Sequence, residues 1–325
     1  MARKWITGID IGHHSAKAVV LVRDGVSLTL VNHLELNGCG AIFSDPHTLK
    51  HQDSVKKLKI LRKIAPLMRS NAAIVVPESA VISKVVSIEA RLEGQEQVFA
   101  IEQAMNHQTP FPADDIALDF VQQAPEQGAS SEAYRVHVTK QSMVSNWSQT
   151  IAKLGFKPKL MDTTNGAIRG AQSWLVAQAS SLSNFAVLEL GHQHVTLLPP
   201  TGVSPDLAKS WSIDTQDTLL SNPSARFKSN SEVMFESVAS RVVSQLQLYR
   251  SVAGIDSISG VLLMGGHAME EGLASVVAKH LSCEVKVADY STLSCHKSKR
   301  SERLPASFSA AFGVAINGLD WLASH

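Results

Sequence analysis

The sequence predicts an α/β protein of two lobes, and three observations carry that prediction. The chain has 325 residues, more than one hydrophobic core usually serves. Short β-rich runs alternate with segments of helical spacing along most of it. The design of residues 6–12, an apolar strand that delivers an acid and then a glycine, returns at Phe185-Ala-Val-Leu-Glu-Leu-Gly191, so the second half opens as the first does.

Trp5 to Ile11 and Ala16 to Val22 read as a strand pair and Leu28 to Leu36 as a third strand. Between Ser54 and Ser70, Val55, Leu58, Leu61, Ile64 and Leu67 recur at helical spacing, and Ala72 to Val76 is a compact strand ended by Pro77. Val81 to Ile88 is a strand, and a helix from Gly94 to His107 stops where Pro110 and Pro112 forbid continuation. Ile116 to Gln122, a loop at Pro125 to Ser131 and a strand at Tyr134 to Thr139 complete a strand, helix, strand, strand unit inserted in the first lobe. Ser142 to Leu154 is an amphipathic helix, Lys157 to Met161 a strand and Asn165 to Ala179 a helix, with a lobe boundary at Ser180 to Asn184.

In the second lobe Asp214 to Ser231 has no period and reads as a long loop. Val233 to Val252 is a long helix, Ile258 to Met264 an apolar strand running into Gly265-Gly266, Met269 to Leu281 a helix and Glu284 to Ala288 a strand. The last helix, Ser307 to Leu322, gathers Phe308, Ala311, Phe312, Ala315 and Ile316 on one side. The domains expected are a first lobe of 1–81 and 141–180 joined by 307–325, an inserted subdomain of 82–140, and a second lobe of 181–306.

Composition excludes several functions. Thirty basic residues against 29 acidic, net +1, give no field that would draw nucleic acid or an acidic partner. No stretch reaches the roughly 18 apolar residues of a spanning helix. The cluster Lys297, Lys299, Arg300 and Arg303 fits either a solvated Ser- and Lys-rich loop or a contact with anionic headgroups, and its composition favours the loop. Cys39, Cys283 and Cys295 form an odd set without metal-type spacing, and nothing like a signal peptide precedes Asp10, so reduced thiols in a cytosol are expected.

Three places share one build, an apolar strand that delivers a polar or Gly-rich turn: Asp10 to Ser15, Glu189 to His194 and Gly265 to Ala268. A nucleotide polyphosphate needs backbone N–H groups turned toward it, which takes small residues, and a carboxylate to hold the water shell of Mg²⁺. Asp10 with Gly12, and Glu189 with Gly191, could supply both from facing lobes, with Asp10 as the residue nearest the metal. Gly265-Gly266 could let an adenosine lie against bare backbone. Singly, Asp10 is equally a strand-end turn carboxylate and Gly265-Gly266 an ordinary turn. Their order, with a closing helix after them, is the plan of the actin, sugar kinase and chaperone ATPase superfamily.

Within that superfamily the chain resembles the PilM family, the FtsA-like components of type IV pilus assembly, including MSHA-type (MshI-like) and HofM-like relatives. The resemblance rests on Thr7-Gly-Ile-Asp-Ile-Gly12 with Ser15 and Lys17, on Val76-Pro77-Glu-Ser79, and on Thr109-Pro-Phe-Pro112 with Ala117-Leu-Asp119-Phe. It continues in Leu154-Gly-Phe-Lys-Pro158 through Asp162 and in Gly260-Val-Leu-Leu-Met-Gly-Gly-His-Ala268. It implies an actin-like ATPase fold, two RNase-H-like lobes with an FtsA-like inserted subdomain. It implies ATP and Mg in the cleft, touched by Asp10, Gly12, His13, His14, Ser15, Lys17, Glu189, Gly191, Gly265, Gly266 and His267. It also implies a partner, the N-terminal cytoplasmic peptide of a PilN-like inner-membrane protein, gripped near the inserted subdomain, so that the protein is cytoplasmic and meets the membrane only through that partner.

The sequence departs from the family pattern in the second lobe. Its phosphate turn begins with Glu189 where the family has Asp, and Ser212-Ile-Asp-Thr-Gln-Asp-Thr-Leu219 has no Gly-Gly. No Ala-Glu-x-x-Lys helix follows. The expectation is therefore a scaffold whose ATPase activity is slow or nil. A sugar-kinase-type phosphotransferase and a filament-forming protein are the rival readings, and self-association leaves no readable motif. His13, His14, His192 and His194 stand at the turns as polar substitutions rather than zinc ligands, and Lys17 either touches phosphate or faces solvent.

Overall fold

The computed structural model describes residues 3–106, 108–123, 131–213, 230–253, 258–281, 283–295 and 303–325. The chain opens as an antiparallel meander, β1 (Lys4–Ile11), β2 (Ser15–Asp24) and β3 (Ser27–Asn37), followed by the small hairpin β4 (Phe43–Asp45) and β5 (Thr48–Leu49) and by α1 (His51–Leu58). β6 (Asn71–Val76) returns parallel to β1. The inserted unit comes next, with β7 (Ile82–Glu89), α2 (Gly94–Met105), β8 (Ile116–Gln122) and β9 (Ser131–Lys140) forming a separate sheet in the order β7-β9-β8. Then α3 (Gln141–Lys153), β10 (Lys157–Thr163), parallel to β6, and α4 (Thr164–Gln178) complete the first half.

The second half contains β11 (Phe185–Leu190), β12 (His194–Leu198), β13 (Lys209–Ser212), α5 (Asn230–Ala253), β14 (Gly260–Met264), α6 (Leu273–Leu281), β15 (Glu284–Val287), β16 (Ser294–Cys295) and α7 (Ser309–Ser324). Its sheet runs β13-β12-β11-β14-β15, an antiparallel meander followed by two parallel strands. The first sheet runs β10-β6-β1-β2-β3, the same order and polarity read from the other edge, with β16 added along β3. The recurrence seen at residues 6–12 and 185–191 is thus the first strand of two equivalent sheets.

Helices α4 and α7 cover the face of the first sheet that carries Ile6, Val19, Leu21 and Ala73, and their core continues into the second lobe. The opposite face packs α1 and α3 through Leu58, Met143, Trp147 and Ile151. Close approach dictates two glycines. A Cβ on Gly8 would overlap the Ala311 carbonyl of α7, and one on Gly313 would overlap the Ala167 carbonyl of α4. The inserted unit keeps a core of its own, Val86, Ile88, Ile101, Met105, Tyr134, Val136 and Val138. It is also tied across to the second lobe, where Arg135 of β9 donates two hydrogen bonds, 2.6 and 2.9 Å, to the Asp206 carboxylate.

Three expectations change. The helix anticipated over 54–70 ends at Leu58 and continues only as a 3₁₀ turn, Lys59–Ile64. Its apolar positions fall every third residue, the 3₁₀ period. Pro66 then removes a donor, and Leu67, which the pattern put in the core, is fully exposed. The helix anticipated from Met269 begins only at Leu273, because Gly272 takes φ +92° after a 3₁₀ turn at His267–Met269. β12 and β13 were not anticipated. The loops expected at 125–131 and 214–231 lie almost wholly outside the described residues, as do Lys297, Lys299 and Arg300.

Candidate functional site

A cleft of about 740 Å³ opens where the ends of β1 and β11 face each other, and all eleven residues singled out from the sequence line it. Strand pairing sets its walls. In the first lobe Asp10 lies opposite Lys17 and Lys17 opposite Glu35, so three charges form one cross-strand row. The Lys17 ammonium sits 3.4 Å from Glu35, with only 12% of the lysine side chain exposed. Lys17 therefore points along the cleft wall, which corrects the solvent-facing alternative. The second lobe repeats the row with neutral partners: Glu189 lies opposite Thr196 and Thr196 opposite Ser210, their hydroxyls 2.9 Å apart.

The turns that follow match as well. The Gly12 N–H donates to the Ser15 carbonyl at 3.0 Å and the Gly191 N–H to the His194 carbonyl at 2.9 Å. At Gly191 an added Cβ would crowd the His194 carbonyl at 3.2 Å, whereas at Gly12 it would stand 3.4 Å from the Ser15 carbonyl, an ordinary contact. At the end of β14, Gly265 takes φ +91° and passes so close to β11 that a Cβ would strike the Leu190 carbonyl and lie 2.7 Å from Glu189 Oε1. Gly266 beside it has open space where a side chain would be. The two glycines thus play different parts: Gly265 fits the strand crossing and Gly266 bares the cleft wall.

The carboxylates are held in an unfavourable state for charge. Burial pushes the Glu189 carboxyl up to about 8, the facing charge of Asp10 adds to this, and Lys17 opposes it. Asp10 is raised by burial too, with Lys17 pulling down and Glu35 pushing up. Two facing carboxyls, each biased toward its protonated form, are a place where a cation would be welcome.

Imidazoles stand at the mouth. His14 stacks on His192 across the cleft with ring centres 4.2 Å apart, and His192 stacks on His267 at 6.0 Å, so one ladder of rings runs from lobe to lobe. His13 turns away and stacks on Phe43 at 4.0 Å. Burial, then His14 and His267, hold His192 below the usual histidine range, and His267 Nδ1 contacts the Glu270 carboxylate. Among the described residues no group of three or more His, Cys, Asp or Glu is arranged to hold a metal ion.

Among the residues of the wall that sequence reasoning missed are Glu35, Thr196, Ser210 and Glu78. The first three reach the cleft only through strand register. Glu78 carried a legible signal, since it follows an apolar strand as Asp10 and Glu189 do. Its carboxylate accepts the Asn165 N–H at the start of α4, 3.1 Å, yet burial keeps its pKa raised. Behind it Asp162, also raised by burial, accepts from Asn317 Nδ2 of α7 at 2.7 Å.

Comparison with known proteins agrees with this architecture. The family model described as type IV pilus assembly protein PilM matches residues 8–198. Among solved structures, the PilM-PilN type IV pilus biogenesis complex is similar over 97% of this chain and 98% of that one, at 16% identity and a TM-score of 0.71. A diol dehydratase-reactivating factor in nucleotide-free form is similar over 98% of this chain and 100% of that one, at 9% identity and a TM-score of 0.52. No curated protein matches. At such identities the likeness is one of fold, the two-lobed actin-like ATPase fold.

Proposed function

This chain belongs to the family of type IV pilus assembly protein PilM, and from that premise we propose that it is a scaffold of pilus biogenesis that binds the cytoplasmic tail of a PilN-like inner-membrane protein. The observation that carries the proposal is the extent of the likeness to the PilM-PilN complex, which at 97% of the chain takes in the inserted subdomain as well as both lobes. No described helix is long and apolar enough to cross a membrane, which suits a protein that works at the inner face of the membrane through its partner. Capture of the chain by the N-terminal peptide of a PilN-like protein is expected. Failure of capture both with and without Mg·ATP would overturn the proposal. The MSHA-type assignment comes from the sequence resemblance, and genes of an MSHA-type pilus beside this one would test it.

In the same reading the cleft holds ATP with Mg²⁺. The residues present fit such a group: Asp10 and Glu189 face each other as buried carboxyls whose charged forms burial disfavours, and Gly266 leaves room for a nucleoside. A bound Mg²⁺ would supply positive charge between the two carboxylates and let both ionise. Asp10 and Glu189 would hold it through water, while the turns at Gly12 to Ser15 and Gly191 to His194 would border the phosphates, with His267 beside them. Hydrolysis is slow or nil in this proposal, because Lys17 is engaged by Glu35 and the second-lobe row ends in hydroxyls. A thermal midpoint raised by millimolar Mg·ATP is the expected result, and an unchanged midpoint would remove the nucleotide from the proposal.

A further inference from the structure

We infer that the end of the first lobe remote from the cleft, centred on the turn Pro66–Arg69, docks directly on an anionic lipid surface. At this end the first sheet's strands begin rather than deliver their acids, so it also carries the β2–β3 turn at Val26 and the entry to β10. The turn closes through the Arg69 N–H donating to the Pro66 carbonyl at 2.9 Å, and its two central residues, Leu67 and Met68, are 88% and 87% exposed. Val26 at the neighbouring turn is fully exposed as well. Three apolar tips therefore project from one end of one sheet.

The surroundings are basic. From Ser54 to Pro77 the sequence contains Lys56, Lys57, Lys59, Arg62, Lys63 and Arg69 and no acid, and from Ile151 to Met161 it contains Lys153, Lys157 and Lys159 and no acid. The two segments are fastened together. Arg62 donates to the carbonyls of Gly155, Ala65 and Leu67 at 3.1, 3.0 and 2.7 Å, and the Lys157 N–H donates to Ser70 at 2.7 Å. Arg62 is thus spent on holding the turn out. Lys59, Lys63, Lys153, Lys157 and Lys159 are exposed and take part in no ion pair among the described residues. The acids at this end, Asp24 and Asp320, are each paired, with Arg3 and Arg23.

A merely solvated basic face would not need Leu67 and Met68 at its tip. A nucleic-acid face would favour flat aromatic rings open among its cations, whereas Trp5 and Phe156 here lie under Arg69 and Arg62, at 5.7 and 5.3 Å. Unpaired lysines around short apolar tips are the chemistry of a peripheral contact with acidic headgroups, in which the tips enter the interface and the ammonium groups stay at its surface. The balance of the whole chain, net +1, had hidden this local excess.

The full chain, floated with vesicles of phosphatidylglycerol and phosphatidylethanolamine or with vesicles of phosphatidylcholine alone, gives the test. Several-fold more protein should float with the anionic vesicles at about 0.15 M salt, and less as salt is raised. A Leu67→Ser, Met68→Ser double variant, and separately a Lys59→Glu, Lys63→Glu, Lys153→Glu variant, should each lower the bound fraction several-fold with the thermal midpoint unchanged. Lys297→Ala with Lys299→Ala should leave binding as it was. Equal flotation with both vesicle types, wild-type binding by the Leu67 and Met68 variant, or binding of a single-stranded oligonucleotide in place of vesicles would overturn the inference. None of these readouts involves a PilN-like peptide, so their failure and that of the scaffold proposal are separable.

Discussion

From Asp10 to Lys17 and from Glu189 to Thr196 the chain passes twice through one figure: a strand-end acid, a glycine whose N–H closes the turn onto a carbonyl, and a return strand that places a polar side chain opposite the acid. The two passes differ in what that polar side chain is. In the first lobe it is a lysine gripped by Glu35, and in the second a threonine bonded to Ser210. Backbone pairing is indifferent to such an exchange, so the fold persists while the chemistry drifts. The comparison also locates the drift: the first lobe keeps its charges, and the positive charge that opposes the rise at Glu189 is Lys17 of the other lobe.

The largest expected effect concerns a position two residues before each acid. Gly8 is pressed against α7, whereas Val187, its counterpart, fills the core of the second lobe. Gly8→Val should abolish soluble folded protein. Val187→Gly should cost about 3 kcal/mol and leave a folded chain, as read by chemical denaturation. Equal losses from the two would show that the lobes are packed alike.

Next in size is nucleotide binding. Asp10→Asn should abolish the rise in midpoint with Mg·ATP, whereas Glu189→Gln should retain part of it, the second-lobe row ending in hydroxyls where the first keeps its charges. A Glu189→Gln loss as deep as that of Asp10→Asn would restore equivalence to the two turns. The same substitution has a pH signature. A carboxyl raised from its ordinary range to about 8 binds a proton in the folded state that the unfolded chain releases. Stability from this group is therefore greatest below about 4.5 and is lost as pH rises to about 8, and Glu189→Gln should flatten that part of a thermal-midpoint profile. The smallest effect belongs to the ring ladder. His192 is held below its ordinary range, so its contribution is present above about 6.5 and lost as pH falls below it. His192→Ala should remove only that acid-side slope.

Much of this was legible because apolar runs that end in an acid and a glycine, or in a pair of glycines, are local facts: Asp10, Glu189 and Gly265 were found in that way, and they line one cleft. Glu35 and Ser210 were not legible, because nothing in the sequence states which residue of β3 will lie opposite Lys17 or which of β13 opposite Thr196. β12 escaped notice since His194 to Leu198 is short and buried on both sides after its first residue, with no alternation to mark it. The stripe Val55, Leu58, Leu61, Ile64 and Leu67 misled for a different reason: spacing by three fits a 3₁₀ turn, and only the carbonyls captured by Arg62 show where it stops.

The seat of α7 also bears on how the molecule is made. A ribosome delivers β1, β2 and β6 early, but the helix that covers them emerges only after the entire second lobe. Throughout that interval the back of the nascent first sheet, with Ile6, Val19 and Leu21, has α4 but not its second cover, and Gly8 awaits the carbonyl it was shaped for. The second lobe closes on neighbours closer in sequence and can settle first, so the lobe translated earlier is the one completed later. Any event that removes α7, a premature stop codon or a protease cut near residue 305, should therefore leave the second lobe able to fold and turn the first into a chaperone client.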